Sequence, residues 1–332
     1  MTTIYFATNR KEDPTQPGGY GADIVPNDPA AVVYAIANVD GINLADENSG
    51  AITSITDKTP GEFSDAAIAA IIGAKKNLLV FIHGFDNSFE DAIKRAAFNR
   101  EWFAASNQAA GDTTIIAFTW PSAGELIAAP PHYPPDAYMV DQAQAGKSGY
   151  HLSFFLNIVD QLRQDYKRAN PAGRVFLLAH SMGNYALQAG VQNWFASRGS
   201  DDLMFDEVFL PAADEVDDSF ERPAGARLSD LPKLSRRISI YNSRRDVAMY
   251  LSTTINLDAR LGFDGPSDKR NAVKYPPTGF RILDCTAVED YSLTDPPDAS
   301  HQYYRRSKIV RADIVAVMSG SPAPQNGLLT LP

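Results

Sequence analysis

The chain carries one cysteine, Cys285, in 332 residues. A single thiol excludes an intramolecular disulfide and a cysteine-based zinc site. At the end of an apolar run, it reads as a small apolar filler rather than a nucleophile. No stretch approaches the ~18 apolar residues that a membrane-spanning helix needs. The opening residues, MTTIYFATNRKED, lack a basic start followed by an apolar run, so no secretory signal is visible. Positive charge is also short: Lys and Arg total 30 against 40 Asp and Glu, a formal net charge of −10. That sign repels a phosphate backbone and argues against a nucleic-acid reader. The expectation is a soluble cytoplasmic protein of undetermined oligomeric state, with no metal and no organic cofactor.

What is present is a core. Hydrophobic residues make up 44% and aromatic residues 10% of the chain, which argues against wholesale disorder. Short apolar runs at Leu78–Ile82, Thr114–Phe118, Val175–Ala179, Val208–Leu210, Ile238–Tyr241 and Phe280–Leu283 alternate with helical patterns. Strands buried on both faces read this way, so the fold class is α/β with a mostly parallel sheet covered on both sides. Ser88 and Asp91 have capping-box spacing ahead of one helix. Leu152, Phe155, Leu156, Val159, Leu162 and Tyr166 form the stripe of a second, stopped at Asn170-Pro171-Ala172-Gly173. Leu187, Val191, Trp194 and Phe195 mark a third. The first sixty residues suggest an antiparallel hairpin, with strands near Thr3–Ala7 and Val32–Asn38. The chain is taken as one domain over 1–332. Residues 121–150, rich in Pro, Ala and Tyr, are taken as a cap inserted at the carboxyl end of a strand, where α/β sheets bind ligands.

The segment RVFLLAHSMGNYALQAG carries the chemistry. A buried strand runs into His180-Ser181-Met182-Gly183 and a helix follows at once, the context of a nucleophile elbow. Ala179 and Gly183, two residues to either side of Ser181, are small, as close backbone packing requires. An elbow serine needs an oxyanion hole and a base held by an acid. Met182 N–H at the helix start is one candidate donor. Phe85 N–H, in His83-Gly84-Phe85 directly after an earlier strand, is the second, and the His83 side chain is expected to pin that loop. The α/β-hydrolase arrangement runs serine, acid, histidine along the chain. Of the five histidines, His83, His132, His151, His180 and His301, only His301 then lies in the right place. The acid is read as Asp246, after the strand ending near Tyr241 and one strand closer to the carboxyl terminus, with Asp214, after the strand ending at Leu210, as the alternative. The cluster Asp284, Glu289, Asp290, Asp295 and Asp298 reads as a solvated acidic loop rather than a metal site.

Several stretches together resemble an uncharacterised, mostly bacterial branch of the α/β-hydrolase superfamily, a domain of unknown function akin to esterases and lipases. They are YFATNR, FIHGFDNSFEDAIKRAA, AFTWPS, LLAHSMGN, FLPAADEVDDSF, ISIYNSRRDVAMYLS and HQYY, spread over nearly the whole chain. The resemblance implies an α/β-hydrolase fold with Ser181, Asp246 and His301 as the matching triad. It also places Asp214 in a recurring segment, which keeps both acids open. The expected activity is hydrolysis of a small-molecule carboxylic ester through an acyl-enzyme. Trp120, Pro121, Tyr133, Tyr138 and Met139 are candidates to line an acyl pocket. An acyltransferase using the same acyl-serine and a non-catalytic binding or scaffold protein are the alternatives.

Overall fold

The computed structural model describes residues 1–74, 77–106, 113–122, 127–128, 131–132, 135–198, 201–295, 298–320 and 325–332. Its centre is a ten-stranded sheet. The strands are β1 (Thr2–Thr8), β2 (Val33–Asp40), β3 (Ala51–Lys58), β4 (Asn77–Ile82), β5 (Thr113–Thr119), β6 (Val175–Ala179), β7 (Glu207–Pro211), β8 (Ile238–Asn242), β9 (Phe280–Asp284) and β10 (Gly327–Thr330). Their spatial order is β10-β9-β8-β7-β6-β4-β5-β1-β2-β3. Every pairing from β10 across to β1 is parallel, and β2 and β3 close the sheet antiparallel. The six apolar runs all became interior strands. The amino-terminal pairing is present as well, in the register Thr3↔Asn38 to Ala7↔Tyr34.

Among the elements with no counterpart in the sequence reading are β3, β10 and the first helix. β3 alternates little and is largely exposed, so AITSITDK lacks the apolar run that a buried strand shows. β10 is a short edge strand, half exposed. Helix α1 (Pro60–Ala74) buries Phe63, Ala67 and Ile71, four residues apart along one face.

The remaining long helices are α2 (Phe89–Ala104), α3 (Pro135–Ala169), α4 (Gly183–Arg198), α5 (Val247–Asn256) and α6 (Lys308–Ser319). The capping box of α2 is formed: the Ser88 hydroxyl accepts from Asp91 N–H, and the Asp91 carboxylate accepts from Ser88 N–H. α3 runs 35 residues, far upstream of its expected start. Residues 135–150 of the segment read as a cap are therefore its first turns. Gly149 on α3 packs directly on the backbone of α4, since a Cβ there would lie 2.5 Å from the Ala189 carbonyl carbon. Two apolar cores, one on each face, hold the sheet between helices. No described helix is long and apolar enough to cross a membrane.

This topology collects chemistry at one edge. The loops after β4, β5, β6, β7, β8 and β9 leave the carboxyl ends of neighbouring parallel strands, and they carry His83, Trp120, Ser181, Asp214, Asp246 and His301 respectively.

Candidate active site

β6 is buried throughout and delivers His180 and Ser181 into a turn with no room to spare. Ser181 sits at φ +54°, in the left-handed region that a non-glycine residue rarely occupies. Such a conformation costs of order 1–3 kcal/mol and persists only where the surroundings hold it. They do so from three sides. Ser181 N–H donates to the Pro211 carbonyl at 3.4 Å, and Asp214 N–H donates to the Ser181 carbonyl at 3.1 Å. The Asn184 amide, in the first turn of α4, donates to the carbonyls of Ala179 and Ser181, both at 3.0 Å. Asn184 escaped the sequence reading; an amide just beyond the elbow was its one signal.

The small residues around the serine are there for contacts with β4 and its loop. A Cβ on Gly183 would stand 2.4 Å from the His83 carbonyl oxygen, and one on Gly84 would stand 2.7 Å from the Ser181 Cβ. The close approach at Gly183 is thus to the end of the neighbouring strand β4. The loop after β4 therefore lies directly against the serine. His83 is buried and holds that loop: Nδ1–H donates to the Gly84 carbonyl at 2.9 Å, and Nε2 accepts from Trp120 N–H at 3.1 Å. Burial first, and then the Arg10 charge, keeps its pKa well below the usual histidine value, so the ring is neutral. The Asn87 amide donates to the carbonyls of Gly84 and Phe85, at 3.0 and 2.7 Å. Arg10 donates in turn to the Asn87 carbonyl at 2.7 Å. Because a peptide unit is planar, fixing the Gly84 carbonyl also fixes the direction of Phe85 N–H. Met182 is buried beside Ser181 and opens the turn into α4, its carbonyl accepting from Tyr185 N–H.

His301 and Asp246 come together from 55 residues apart. His301 Nδ1 lies 2.8 Å from Asp246 Oδ2, and both residues are buried. A carboxylate only accepts, so Nδ1–H is the donor and Nε2 of the neutral ring is left as an acceptor. The other oxygen of Asp246 caps α5, accepting from Met249 N–H at 3.0 Å. Burial pulls the His301 pKa down. The Asp246 charge and hydrogen bond, with Asp298 and Asp214 adding to them, outweigh burial and carry the net shift upward. Beside it, His180 packs with ring centroids 4.6 Å apart, and burial followed by the His301 and Arg305 charges holds its pKa well below the usual value. Among the described residues no hydrogen bond joins Ser181 Oγ to His301.

Asp214 is equally buried, and its partners are different. Tyr138 OH donates to Oδ2 at 2.7 Å, Ser252 OH donates to Oδ1 at 2.5 Å, and Arg260 Nε stands 3.6 Å from Oδ1. Of the residues read as an acyl pocket, Trp120 is fully buried, stacked on His83 with planes 3° apart, its indole N–H bonded to the His83 carbonyl at 2.8 Å. Tyr138 faces Asp214, and Met139 is 51% exposed. Tyr133 lies outside the described residues. His151 bonds Asn9 and the Pro26 carbonyl, and the His132 side chain is outside the description. Cys285 is buried, and burial together with Asp313 and Asp284 pushes its thiol pKa well up, which keeps it protonated. No group of three or more His, Cys, Asp or Glu among the described residues is arranged to hold a metal ion.

The family comparison agrees with this architecture. The model of a family described as alpha/beta hydrolase of unknown function (DUF900) matches residues 63–316. No curated protein matches the chain. A solved structure, described as the crystal structure of the gene lin2722 products from Listeria innocua, is 10% identical over 77% of this chain and 99% of that one, with a TM-score of 0.33. That score is too low to bear on fold or function. The elbow, the parallel sheet and the family match over most of its length make this chain a member of the alpha/beta hydrolases of unknown function, DUF900.

Proposed function

We propose that the chain is a serine hydrolase that cleaves carboxylic esters through an acyl-enzyme. The observation that carries this reading is Ser181 at φ +54° between a buried strand and a helix, in the same cluster of loops as the His301–Asp246 pair. Ser181 Oγ attacks the ester carbonyl carbon while His301 Nε2 takes the hydroxyl proton. The carbonyl oxygen gains the negative charge and is held by Phe85 and Met182 N–H, the latter at the positive end of the α4 dipole. Collapse expels the alcohol, which receives the proton from His301. Water then repeats the sequence on the acyl-serine and releases the acid. Asp246 keeps the Nδ1–H tautomer and stabilises the imidazolium. The Ser181–His301 contact closes when substrate binds, as catalytic hydrogen bonds commonly tighten only in the complex.

A panel of p-nitrophenyl esters of graded acyl length, run on the parent chain and on Ser181→Ala, tests this. The variant is expected to lose ~10⁴-fold or more of turnover, and a fluorophosphonate is expected to label Ser181. Undiminished turnover in the variant would rule the elbow out.

A further inference from the structure

We propose that Asp214 is a positioning residue that ties the amino end of α3 to the backbone of Ser181. The inference rests on the reading of Ser181 as nucleophile and adds a role for a carboxylate outside the proposed triad. Asp214 is 1% exposed. Oδ2 is taken by Tyr138 and Oδ1 by Ser252 and Arg260, so its carboxylate is committed to α3, α5 and the stretch between α5 and β9. Its backbone acts on the other side. Asp214 N–H holds the Ser181 carbonyl, and three residues earlier the Pro211 carbonyl holds Ser181 N–H. The strained residue is thus bracketed by one short loop, and the side chain of that loop is anchored on Tyr138.

The anchor is itself sewn in. Asn256 donates to Tyr138 OH at 3.0 Å, and Gln142, one turn along α3, donates to Asn256 Oδ1 at 3.0 Å. A displacement of the first turns of α3 therefore pulls on Asp214, and through its backbone on the turn that presents the hydroxyl. The charge of Asp214 also reaches the base: it acts with Asp246 and Asp298 on the His301 ring, against which the His180 ring packs at a tilt of 44°.

The test compares Asp214→Asn, Tyr138→Phe and the parent, with fluorophosphonate titration counting competent sites so that kcat is expressed per labelled serine. Asp214→Asn should lower kcat by ~10–100-fold, as small misplacements of a reacting group do, with KM little changed. It should also move the acid limb of the rate profile to lower pH. Tyr138→Phe, which keeps the charge, should lower kcat several-fold and leave that limb in place. Wild-type kcat and pH profile per labelled site in both variants would overturn the proposal, because a merely structural carboxylate changes only the number of sites. Loss in Asp214→Asn as complete as in Ser181→Ala would overturn it in favour of a triad acid. Should Asp214→Asn not fold, Tyr138→Phe decides on kcat alone. A parent chain that the fluorophosphonate leaves unlabelled removes the hydrolase reading first and this inference with it.

Discussion

The loop after β7 and the loop after β8 each bury an aspartate at the same edge of the sheet, and the two carboxylates are used differently. Asp246 gives one oxygen to a helix terminus and the other to an imidazole. Asp214 gives both to hydroxyls and a guanidinium. If Asp246 is the triad acid and Asp214 a brace, as proposed, burial and hydrogen bonding do not tell the two apart. The partner does: a ring that must gain and lose a proton makes use of a nearby fixed charge, and a hydroxyl does not.

The comparison breaks most visibly at Asp246→Asn. Asparagine remains a good helix N-cap, so α5 should survive, while the charge that supports the imidazolium is gone. Turnover should fall by about 10⁴-fold with little change in melting temperature, to be read from ester kinetics beside thermal unfolding. A variant that keeps a tenth of parental kcat would shift the acid role away from Asp246.

The pH profile sharpens the same contrast. The His301 pKa is raised and only the neutral ring accepts the serine proton. Activity should therefore decline with a midpoint above the ordinary ~6.5, about tenfold per pH unit below it. Stability runs the other way. A raised folded-state pKa contributes fully below the unfolded value, and that contribution disappears as pH climbs through the folded one. Thermal unfolding and kcat/KM, followed over the same buffers, should move in opposite directions across that window. An activity midpoint below the ordinary value would contradict the Asp246–His301 coupling.

The smallest effect belongs to a cap without chemistry. Ser307 caps α6, its hydroxyl accepting from Val310 N–H at 3.0 Å. Ser307→Ala should cost ~1 kcal/mol in stability and leave kcat unchanged, which chemical denaturation and a single ester assay would check. A fall in kcat there would mean that capping and catalysis are not separable at this edge.

The interior strands were legible because burial on both faces leaves runs such as LLVFI and VFLLA with no polar register to confuse them. β3 was not, since an exposed strand at the sheet edge has no apolar pattern to show. The start of α3 was hidden by the Pro, Gly and small residues of 130–149; its buried contacts, Tyr138 with Asp214 and Gly149 with Ala189, exist only after folding. Ser181, His301 and both aspartates could be proposed from order along the chain, because the topology fixes which loops share an edge. Loop order alone favours Asp246 over Asp214 as the partner of His301; side-chain direction in loops of irregular shape, which decides the pairing, is not written in the sequence. The roles of Asn184, Asn87 and Arg10 were invisible for the same reason: each acts on a backbone carbonyl, and carbonyls carry no sequence identity.

The packing of His180 against His301, with the ring planes tilted by 44°, limits how much positive charge this pair can store. Burial and neighbouring positive charge lower the His180 pKa while Asp246 raises that of His301, so a proton entering the pair favours one ring. That proton resides on the ring beside Asp246, where a cation is compensated. On the proposed mechanism the neighbour stands by as a neutral ring in place of a second charge, and the exchangeable proton has one address.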